Sequence, residues 1–272
     1  MAPKIGFIGA GNMAQAIFRR LLALRLIEPA ALFVSDVLPD LTGSLSAELG
    51  LGVCEDNPAL VREADVVVLA VKPIYCASVL REIRQALEQK PLLSIVTGWS
   101  LDMLRDALLP DAHVLRVVPN TPAMVGEGTT LFGKTHTLSD AEFACANDLF
   151  ASVGDVLVLE DRLLDVATCI SSCGPAFMYQ IIEALGDAGV MYGLPRLLSY
   201  RMASQMMAGA GKMALESGRH PGELKDAVCS PGGTTIMGIY ELEKAGVHVA
   251  MIDAVSAAYR KSQLISSQEK RG

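Results

Sequence analysis

The chain has 272 residues, of which 51% are hydrophobic, and a formal net charge of −7 at pH 7. This charge, together with the lack of a basic stripe, argues against a nucleic-acid partner. The length allows one large domain or two ordinary ones. A mean hydropathy of +0.37 leaves two interpretations open, a large internal core or an additional buried oligomer surface.

The sequence predicts a cytoplasmic protein without a membrane partner. The longest charge-free run, residues 166–182, contains two serines, Gly174, Pro175 and Gln180, which makes it a poor membrane span. A strand-like run begins at Lys4 with no signal-peptide pattern before it. The six cysteines have neither Cys-x-x-Cys spacing nor a histidine at ligand spacing, so we expect reduced thiols and no metal site.

The first half of the chain alternates short apolar runs with amphipathic stretches. The expected strands are residues 4–9, 32–36, 65–72, 92–98, 113–119, 128–133 and 154–160. Helices are expected to begin near Asn12, Asp40, Pro58, Tyr75, Ser100 and Ser139. This alternation predicts a parallel, doubly wound sheet, and the unbroken apolar run "VVVLAV" indicates a strand covered on both faces.

From Asp161 onward the pattern becomes helical. Three long segments, residues 175–193, 195–218 and 248–268, have helical spacing and end or break at Gly or Pro. We therefore expect a Rossmann-type dinucleotide-binding domain over residues 1–160. An all-helical second domain is expected over residues 161–272.

A glycine turn follows the first expected strand. "GAGNMA" supplies Gly9, Gly11 and Ala14 in a G-x-G-x-x-A pattern that opens a helix. Gly9 allows the tight turn, Gly11 lets a pyrophosphate approach the backbone, and Ala14 lets the helix pack closely. Because a strand precedes the turn and a helix follows it, the pattern predicts a dinucleotide site. A close-packed turn without a ligand is the alternative.

Other candidate cofactor residues lie at the carboxyl ends of expected strands, where open α/β sheets bind ligands. Asp36 can accept from both ribose hydroxyls of NAD and would repel the 2′-phosphate of NADP, although a solvated turn aspartate is equally compatible. "AVKP" contributes Ala70, Lys72 and Pro73, and "PNTP" contributes Asn120, which can orient a nicotinamide. Ordinary loop residues would look the same.

Several catalytic classes lack their motifs in this sequence. There is no G-x-S-x-G elbow, H-E-x-x-H pair or Walker loop. None of the four histidines has a carboxylate partner at a recognisable spacing, so the general acid/base of an alcohol dehydrogenase has no strong candidate. A C=N group needs less acid assistance, because its protonated iminium is already a strong electrophile.

The segment "SPGGTT", residues 230–235, can hold the anionic end of such a substrate. Gly232 and Gly233 free the backbone to direct N–H groups at one point, and Thr234 and Thr235 open a helix whose positive end favours a carboxylate. Ser230 adds a hydroxyl. A capped turn between two helices is the alternative, since Ser, Pro, Gly and Thr are ordinary capping residues.

The motifs "IGFIGAGNMA", "AVKP", "RVVPNTPA", "SSCGPAFMY" and "HPGELKDAVCSPGGTTI" occur in this order across nearly the whole chain. In this combination the sequence closely resembles the pyrroline-5-carboxylate reductases, which catalyse the last step of proline synthesis. The last motif carries most of this specificity. The resemblance implies reduction of 1-pyrroline-5-carboxylate to L-proline by NADPH or NADH, and a helical C-terminal domain that joins two subunits, commonly within a ring of five dimers.

The resemblance also implies roles for individual residues. The pyrophosphate would be held by Gly9, Gly11, Asn12 and Met13. The cofactor cleft would be lined by Asn57, Lys72, Pro73 and Asn120. The substrate carboxylate would be bound by Ser230, Gly232, Gly233 and Thr234, and the ring nitrogen by Thr235. The two glycine-rich turns would then serve one reaction centre, with a subunit boundary between them as one arrangement.

Some residues depart from the family pattern. Cys173, Phe177 and Trp99 stand where many members have other residues, and the sequence after Asp36 lacks the arginine of members that prefer NADPH. Cofactor preference therefore stays open. The competing functions are a β-hydroxyacid dehydrogenase, whose lysine is missing from the helix that contains Gln180, another imine reductase, and a non-catalytic NAD(P)-sensing interaction protein.

Overall fold

The computed structural model describes residues 3–269, with side chains to residue 265. The described chain forms two compact units, one of residues 3–172 and 259–269 and the other of Cys173–Ala258. We call them unit 1 and unit 2. In the described part of the chain the last strand ends at Leu159, and only helices follow from Asp161. The expected domain division after residue 160 stays a prediction.

Unit 1 is built on one eight-stranded sheet with the strand order β3-β2-β1-β4-β5-β6-β7-β8. The strands are β1 (Ile5–Ile8), β2 (Leu32–Ser35), β3 (Gly52–Val53), β4 (Val66–Leu69), β5 (Leu92–Ser94), β6 (Val114–Val118), β7 (Gly128–Gly133) and β8 (Gly154–Leu159). Strand β3, which has only two residues, was not expected from the sequence. The doubly wound arrangement is confirmed.

Seven helices belong wholly to this unit in the described chain. They are α1 (Asn12–Ala23), α2 (Pro39–Leu49), α3 (Asn57–Glu63), α4 (Pro73–Leu87), α5 (Leu101–Ala107), α6 (Asp140–Ala151) and α7 (Asp161–Ser171). Ser100 and Ser139 cap the starts of α5 and α6 with their side chains, so both helices begin one residue after the expected position.

One strand pairing departs from the expected parallel sheet. All pairings among β1 to β6 are parallel, and so is the pairing of β7 with β8, whereas β6 and β7 pair antiparallel. The segment between β6 and β7 contains a 3-10 turn, Thr121–Val125, and no α-helix. A parallel crossover needs a dozen or more residues, so this short connection returns the chain in the opposite direction.

Alternate residues of the strands fill two cores, one on each face of the sheet. Phe7, Val66 and Val68 pack with the buried sides of α1, α2 and α6. Ile8 and Val67 pack on the opposite face with α3, α4 and α5. The expectation that "VVVLAV" is covered on both faces is therefore confirmed.

Unit 2 consists of helices in the described chain. It contains α8 (Gly174–Met191), α9 (Arg196–Ser217), α10 (Pro221–Ala227), α11 (Thr234–Lys244) and the first part of α12 (Val247–Glu269). The three long helices expected from sequence are present as α8, α9 and α12. Helices α8 and α9 pack closely, because a Cβ at Gly186 would overlap the Tyr200 ring and one at Gly189 would overlap Ser199 Oγ.

Candidate functional site

The glycine turn between β1 and α1 lies against both neighbouring strands. Gly9 has a φ of 96°, which favours glycine, and a Cβ there would lie 2.6 Å from the carbonyl oxygen of Ala70 just after β4. The Gly9 N–H donates to the carbonyl of Ser35 at the end of β2 (2.8 Å). The turn therefore stands at the carboxyl edge of three adjacent strands.

The N-terminus of α1 has the properties required to hold a pyrophosphate. Gly11 is the N-cap residue, makes no side-chain cap, and would have open space around a Cβ. Asn12 and Met13 supply the first helical N–H groups, while Ala14 is buried against the sheet. An uncapped helix start with backbone donors and a positive dipole end fits a bound dinucleotide.

Asp36, which follows β2, is fixed to the glycine turn. Its Oδ2 accepts the Ala10 N–H at 2.7 Å, and its Oδ1 accepts the Leu38 N–H at 3.1 Å. The side chain is thus a component of the turn itself and not a freely rotating surface carboxylate. This placement agrees with the ribose-binding interpretation of Asp36.

Asn57, the first residue of α3, has its side-chain amide engaged on both sides. The Oδ1 atom accepts from the Ser35 hydroxyl at 2.9 Å, and Nδ2 donates to Glu82 Oε2 at 2.8 Å. These bonds tie the end of β2 to α3 and α4. Asn57 therefore lies beside the end of β2, with its amide oriented by protein groups.

Ala70, Lys72 and Pro73 occupy the connection from β4 to α4. The Ala70 N–H continues the sheet by donating to the Ile8 carbonyl (2.8 Å). Lys72 is the N-cap residue of α4 and is exposed, and Pro73 opens the helix at a position that needs no N–H. The structure brings this segment next to the glycine turn, as the strand order requires.

Asn120, expected to orient a nicotinamide, holds three segments of unit 1 together. It is buried, its Oδ1 accepts from the Thr129 N–H, and its Nδ2 donates to the Ser171 carbonyl, both at 2.9 Å. The hydroxyl of Ser172 donates to the Pro119 carbonyl at 3.4 Å. Asn120 thus fixes the loop after β6 against the start of β7 and the end of α7.

In unit 2, residues 230–235 comprise the end of the turn between α10 and α11 and the first two residues of α11. Gly232 has a φ of 71°, and the Gly233 N–H donates to the Ser230 carbonyl at 3.0 Å. A Cβ at Gly233 would overlap Ser230 Oγ, so the serine hydroxyl lies directly beside the start of α11. The turn requires both glycines, the first for its backbone conformation and the second for this close approach.

The first turn of α11 is open to a ligand. Gly233 is its N-cap residue and makes no side-chain cap, and Thr234 and Thr235 are the first two helical residues, both exposed. The structure therefore brings Ser230, Gly232, Gly233, Thr234 and Thr235 together around a helix N-terminus. Helix ends of this kind bind anions through backbone N–H groups and the helix dipole.

One histidine has a carboxylate partner that no sequence spacing indicated. His113 Nδ1 lies 2.8 Å from Glu142 Oε2. The two residues are 29 positions apart, and only the packing of α6 beside β6 brings them together. His113 precedes β6, at the opposite edge of the sheet from Asn120, which separates the pair from the cofactor turn.

Ser35, Ser171 and Ser172 were also missed as partners of candidate site residues. Each is an unremarkable serine in sequence, and the bonds span 22, 51 and 53 positions. A signal for Ser171 and Ser172 did exist, because both lie in the "SSCGPAF" motif. Residues 3–269 contain no group of three potential metal-ligating side chains and no helix long and apolar enough to cross a membrane.

Comparison with known proteins places this geometry in a family. Residues 161–265 match the family model described as pyrroline-5-carboxylate reductase dimerisation, and residues 4–98 match the model of NADP oxidoreductase, coenzyme F420-dependent. The pyrroline-5-carboxylate reductase of Methanosarcina acetivorans is 40% identical over 261 residues, which cover 96% of this chain and 97% of that protein. The chain belongs to the pyrroline-5-carboxylate reductase family.

Two further relatives extend this similarity along the whole chain. The Escherichia coli pyrroline-5-carboxylate reductase is 38% identical over 98% of this chain and 99% of that protein. The solved structure of Plasmodium falciparum pyrroline carboxylate reductase with NADP bound has a TM-score of 0.88 at 34% identity. It covers 97% of this chain and 98% of that chain. Membership of the pyrroline-5-carboxylate reductase family thus agrees with both the sheet and the helical region.

Proposed function

We propose that the protein reduces the C=N bond of 1-pyrroline-5-carboxylate to give L-proline, using NADH or NADPH. The observation that carries this proposal is the open start of α11, where the Ser230 hydroxyl and two threonines surround uncapped N–H groups. Family membership with 40% identity over nearly the full length supports the same reaction.

The dinucleotide would be held in unit 1. The N–H groups of Gly11, Asn12 and Met13 would bind its pyrophosphate, because they stand at the uncapped start of α1. Lys72 and Pro73 follow the adjacent strand β4 and would line the cleft. When bound, the reduced nicotinamide supplies the hydride.

The substrate carboxylate would be held by unit 2. The backbone N–H of Thr234, at the positive end of α11, would donate to its oxygens, and the Ser230 hydroxyl would add a further bond. Gly233, whose own N–H is bonded to the Ser230 carbonyl, would hold the serine beside the carboxylate. The free backbone conformation at Gly232 permits this convergence. A fixed carboxylate would orient the ring, so that the reacting atoms meet in one geometry and not by random collision.

Thr235 would serve the ring nitrogen. Residues 230–235 include no acidic or basic side chain that could bond the nitrogen. The Thr235 hydroxyl can both donate and accept a hydrogen bond, which suits this role. It would hold the protonated iminium in place and remain bonded as the nitrogen becomes an amine. An iminium needs little further acid assistance, which agrees with a turn that lacks a tuned histidine.

The proposal is tested by incubating the purified full chain with 1-pyrroline-5-carboxylate and either cofactor. We expect cofactor oxidation and formation of proline in equal amounts. No oxidation of either cofactor would contradict the proposal, and reduction of 3-oxo acids in place of the imine would indicate a hydroxyacid dehydrogenase. Tight cofactor binding without any turnover would favour a sensing role.

The role of Thr235 is tested by Thr235→Val and Thr235→Ser. We expect the valine variant to lower kcat by an amount that corresponds to about 1–3 kcal/mol, the cost of one lost hydrogen bond. The serine variant keeps a hydroxyl and should recover most of the rate. Equal rates for the wild type and the valine variant would remove Thr235 from the mechanism.

We also propose a homodimer, with a ring of five dimers as the larger assembly. The match of residues 161–265 to a dimerisation family supports a dimer, as do the exposed apolar side chains of α8, α9 and α12. Sedimentation equilibrium gives the mass directly: a monomer at micromolar concentration would contradict the proposal. The cytoplasmic location expected from sequence is part of the same proposal.

A further inference from the structure

We propose that Asp36 makes this chain select NADH over NADPH. The inference rests on the proposed use of a nicotinamide dinucleotide, but it concerns the adenosine end and not the reduction chemistry. It assigns to this chain a cofactor other than the NADP that is bound in the solved Plasmodium falciparum relative. Three properties of the structure support it: a fixed carboxylate, the absence of nearby basic residues in the sequence, and the commitment of neighbouring donors.

The carboxylate of Asp36 cannot rotate away without losing two hydrogen bonds. Oδ2 accepts from Ala10 within the glycine turn, and Oδ1 accepts from Leu38 after β2. Each carboxylate oxygen has two lone-pair directions, so one on each oxygen remains for a ligand. Two remaining acceptor positions suit the two hydroxyls of an unmodified adenosine ribose.

A 2′-phosphate would meet this acceptor group with the wrong charge. The phosphate of NADPH is a strong acceptor carrying close to two negative charges, and it offers no donor to a carboxylate at neutral pH. Like charges at short distance repel, and this repulsion is stronger near a protein surface than in bulk water. Because Asp36 is held by backbone N–H groups, moving it aside would cost both of those bonds.

The surrounding sequence offers no cation to offset this repulsion. Between Arg25 and Arg62 the chain has no Lys or Arg, while it has the acids Glu28, Asp36, Asp40, Glu48, Glu55 and Asp56. This stretch includes β2, α2, β3 and the start of α3. Arg19 of α1 reaches toward α2, but both of its terminal nitrogens donate to Glu48.

Among the described residues, the neutral side-chain donors beside Asp36 already donate to other protein groups. The Ser35 hydroxyl donates to Asn57, and the Asn57 amide donates to Glu82. The two residues after Asp36 are Val37 and Leu38, whose side chains are 89% and 58% exposed and carry no polar atoms. An apolar, solvent-facing pair at this position can cover an adenine ring but cannot hold a phosphate.

Binding of two matched pairs of ligands to the full-length protein tests the proposal without turnover. Isothermal titration calorimetry with NADH and NADPH measures the whole cofactors, and titration with 5′-AMP and adenosine 2′,5′-bisphosphate isolates the 2′-phosphate. We expect NADH to bind at least about tenfold more tightly than NADPH, with the fragments in the same order.

Asp36→Ser removes the charge and leaves room for the phosphate. We expect this variant to reduce the preference at least about tenfold, chiefly by improving NADPH binding. Asp36→Asn has the same shape and keeps one acceptor, so it should give a partial reduction of the NADH preference. Because this side chain fits the same space, the variant also provides a test if the serine variant does not fold. Asp40→Asn is the matched control, because Asp40 is exposed in the first turn of α2 and should leave the ratio unchanged.

The outcomes separate this proposal from the proposed reaction. Selective NADH binding that Asp36→Ser abolishes would support the assignment even if the imine were not reduced. Equal binding of NADH and NADPH by the wild type would overturn it even if the imine were reduced. A preference that survives in both Asp36 variants would overturn it as well, and binding of neither cofactor would overturn both proposals.

Discussion

Units 1 and 2 bury their side chains to very different extents. In unit 1 the two faces of the sheet carry continuous cores, with Phe7, Phe18, Phe132 and Phe150 almost completely inaccessible. In residues 173–258, all of which the structure describes, the buried residues are Gly186, Ser199 and Ala203. Unit 1 thus has a core of its own, whereas unit 2 exposes most of its apolar side chains.

Hydrophobic side chains therefore serve two purposes in this chain. A helical region with long apolar side chains in solvent, such as Leu197 at 85% exposure and Tyr192 at 89%, lacks the burial that stabilises a folded domain. The match of residues 161–265 to a dimerisation family explains these exposed apolar side chains as an association surface. Unfolding of unit 1 should therefore be independent of protein concentration, and that of unit 2 should depend on it.

The largest effect is expected from Phe132→Ala in unit 1. Phe132 is fully buried, and its ring packs edge-to-face with Phe143 and Phe150. Removing it should cost about 3–5 kcal/mol in the free energy of unfolding, measured by urea denaturation at two protein concentrations. Val37→Ala, at an exposed position, is the control. A loss below about 1 kcal/mol would mean that unit 1 lacks the tight core described.

Gly186→Ala tests the packing that unit 2 does have. The new methyl group would overlap the Tyr200 ring, so α8 and α9 must separate, at a cost of about 1–3 kcal/mol. Gly209→Ala is a matched control, because a Cβ at Gly209 in α9 has open space within the chain. Equal thermal midpoints for the two variants would contradict the close approach of the helices.

Lys90→Met tests a polar contact that adds to the core of unit 1. The Lys90 Nζ donates to the carbonyls of Val61, Arg62 and Ala64 at 2.7, 2.9 and 2.8 Å, which satisfies the end of α3. Loss of this ammonium should cost about 2 kcal/mol in urea unfolding. Lys212→Met, at an exposed position on α9, should change stability by less than about 0.5 kcal/mol. Similar losses for both would argue against a specific role.

The smallest effect is expected from Glu142→Gln, and it depends on pH. Burial alone would raise the pKa of Glu142, but hydrogen bonds with His113 and Ser139 outweigh it and hold the pKa below the ordinary value of 4.5. A lowered pKa stabilises the fold above pH 4.5, and this contribution is lost as the pH falls through the lowered pKa.

The variant should lose about 1 kcal/mol at neutral pH, because a neutral amide replaces the carboxylate that bonds His113 and the Ser139 N–H. The difference in the free energy of unfolding between wild type and variant should shrink as the pH falls through the lowered pKa of Glu142. Urea unfolding at a series of pH values measures this difference. Asp106→Asn is the control, because it also removes one negative charge but at an exposed position. A difference that stays constant down to acidic pH would contradict the assignment to Glu142.

Most of the fold could be predicted from sequence because its signals are local. The period of the apolar residues distinguished strands from helices, and Gly9, Gly11 and Ala14 located the turn between β1 and α1. The short strand β3 was missed because two residues carry no periodicity. The antiparallel pairing of β6 with β7 was missed, because the sequence of a short loop does not show on which side of the strand the chain returns.

The site residues were identified by type, but their partners were not. Ser230 to Thr235 are contiguous, so a hydroxyl-rich, glycine-containing turn at the start of α11 could be read from the sequence. The contacts of Asp36 with the glycine turn, of Asn120 with Ser171 and of His113 with Glu142 became visible only in the folded structure. Those contacts join residues 26, 51 and 29 positions apart. Such pairs leave no periodic pattern in a single sequence, because they form only when the sheet brings distant segments side by side.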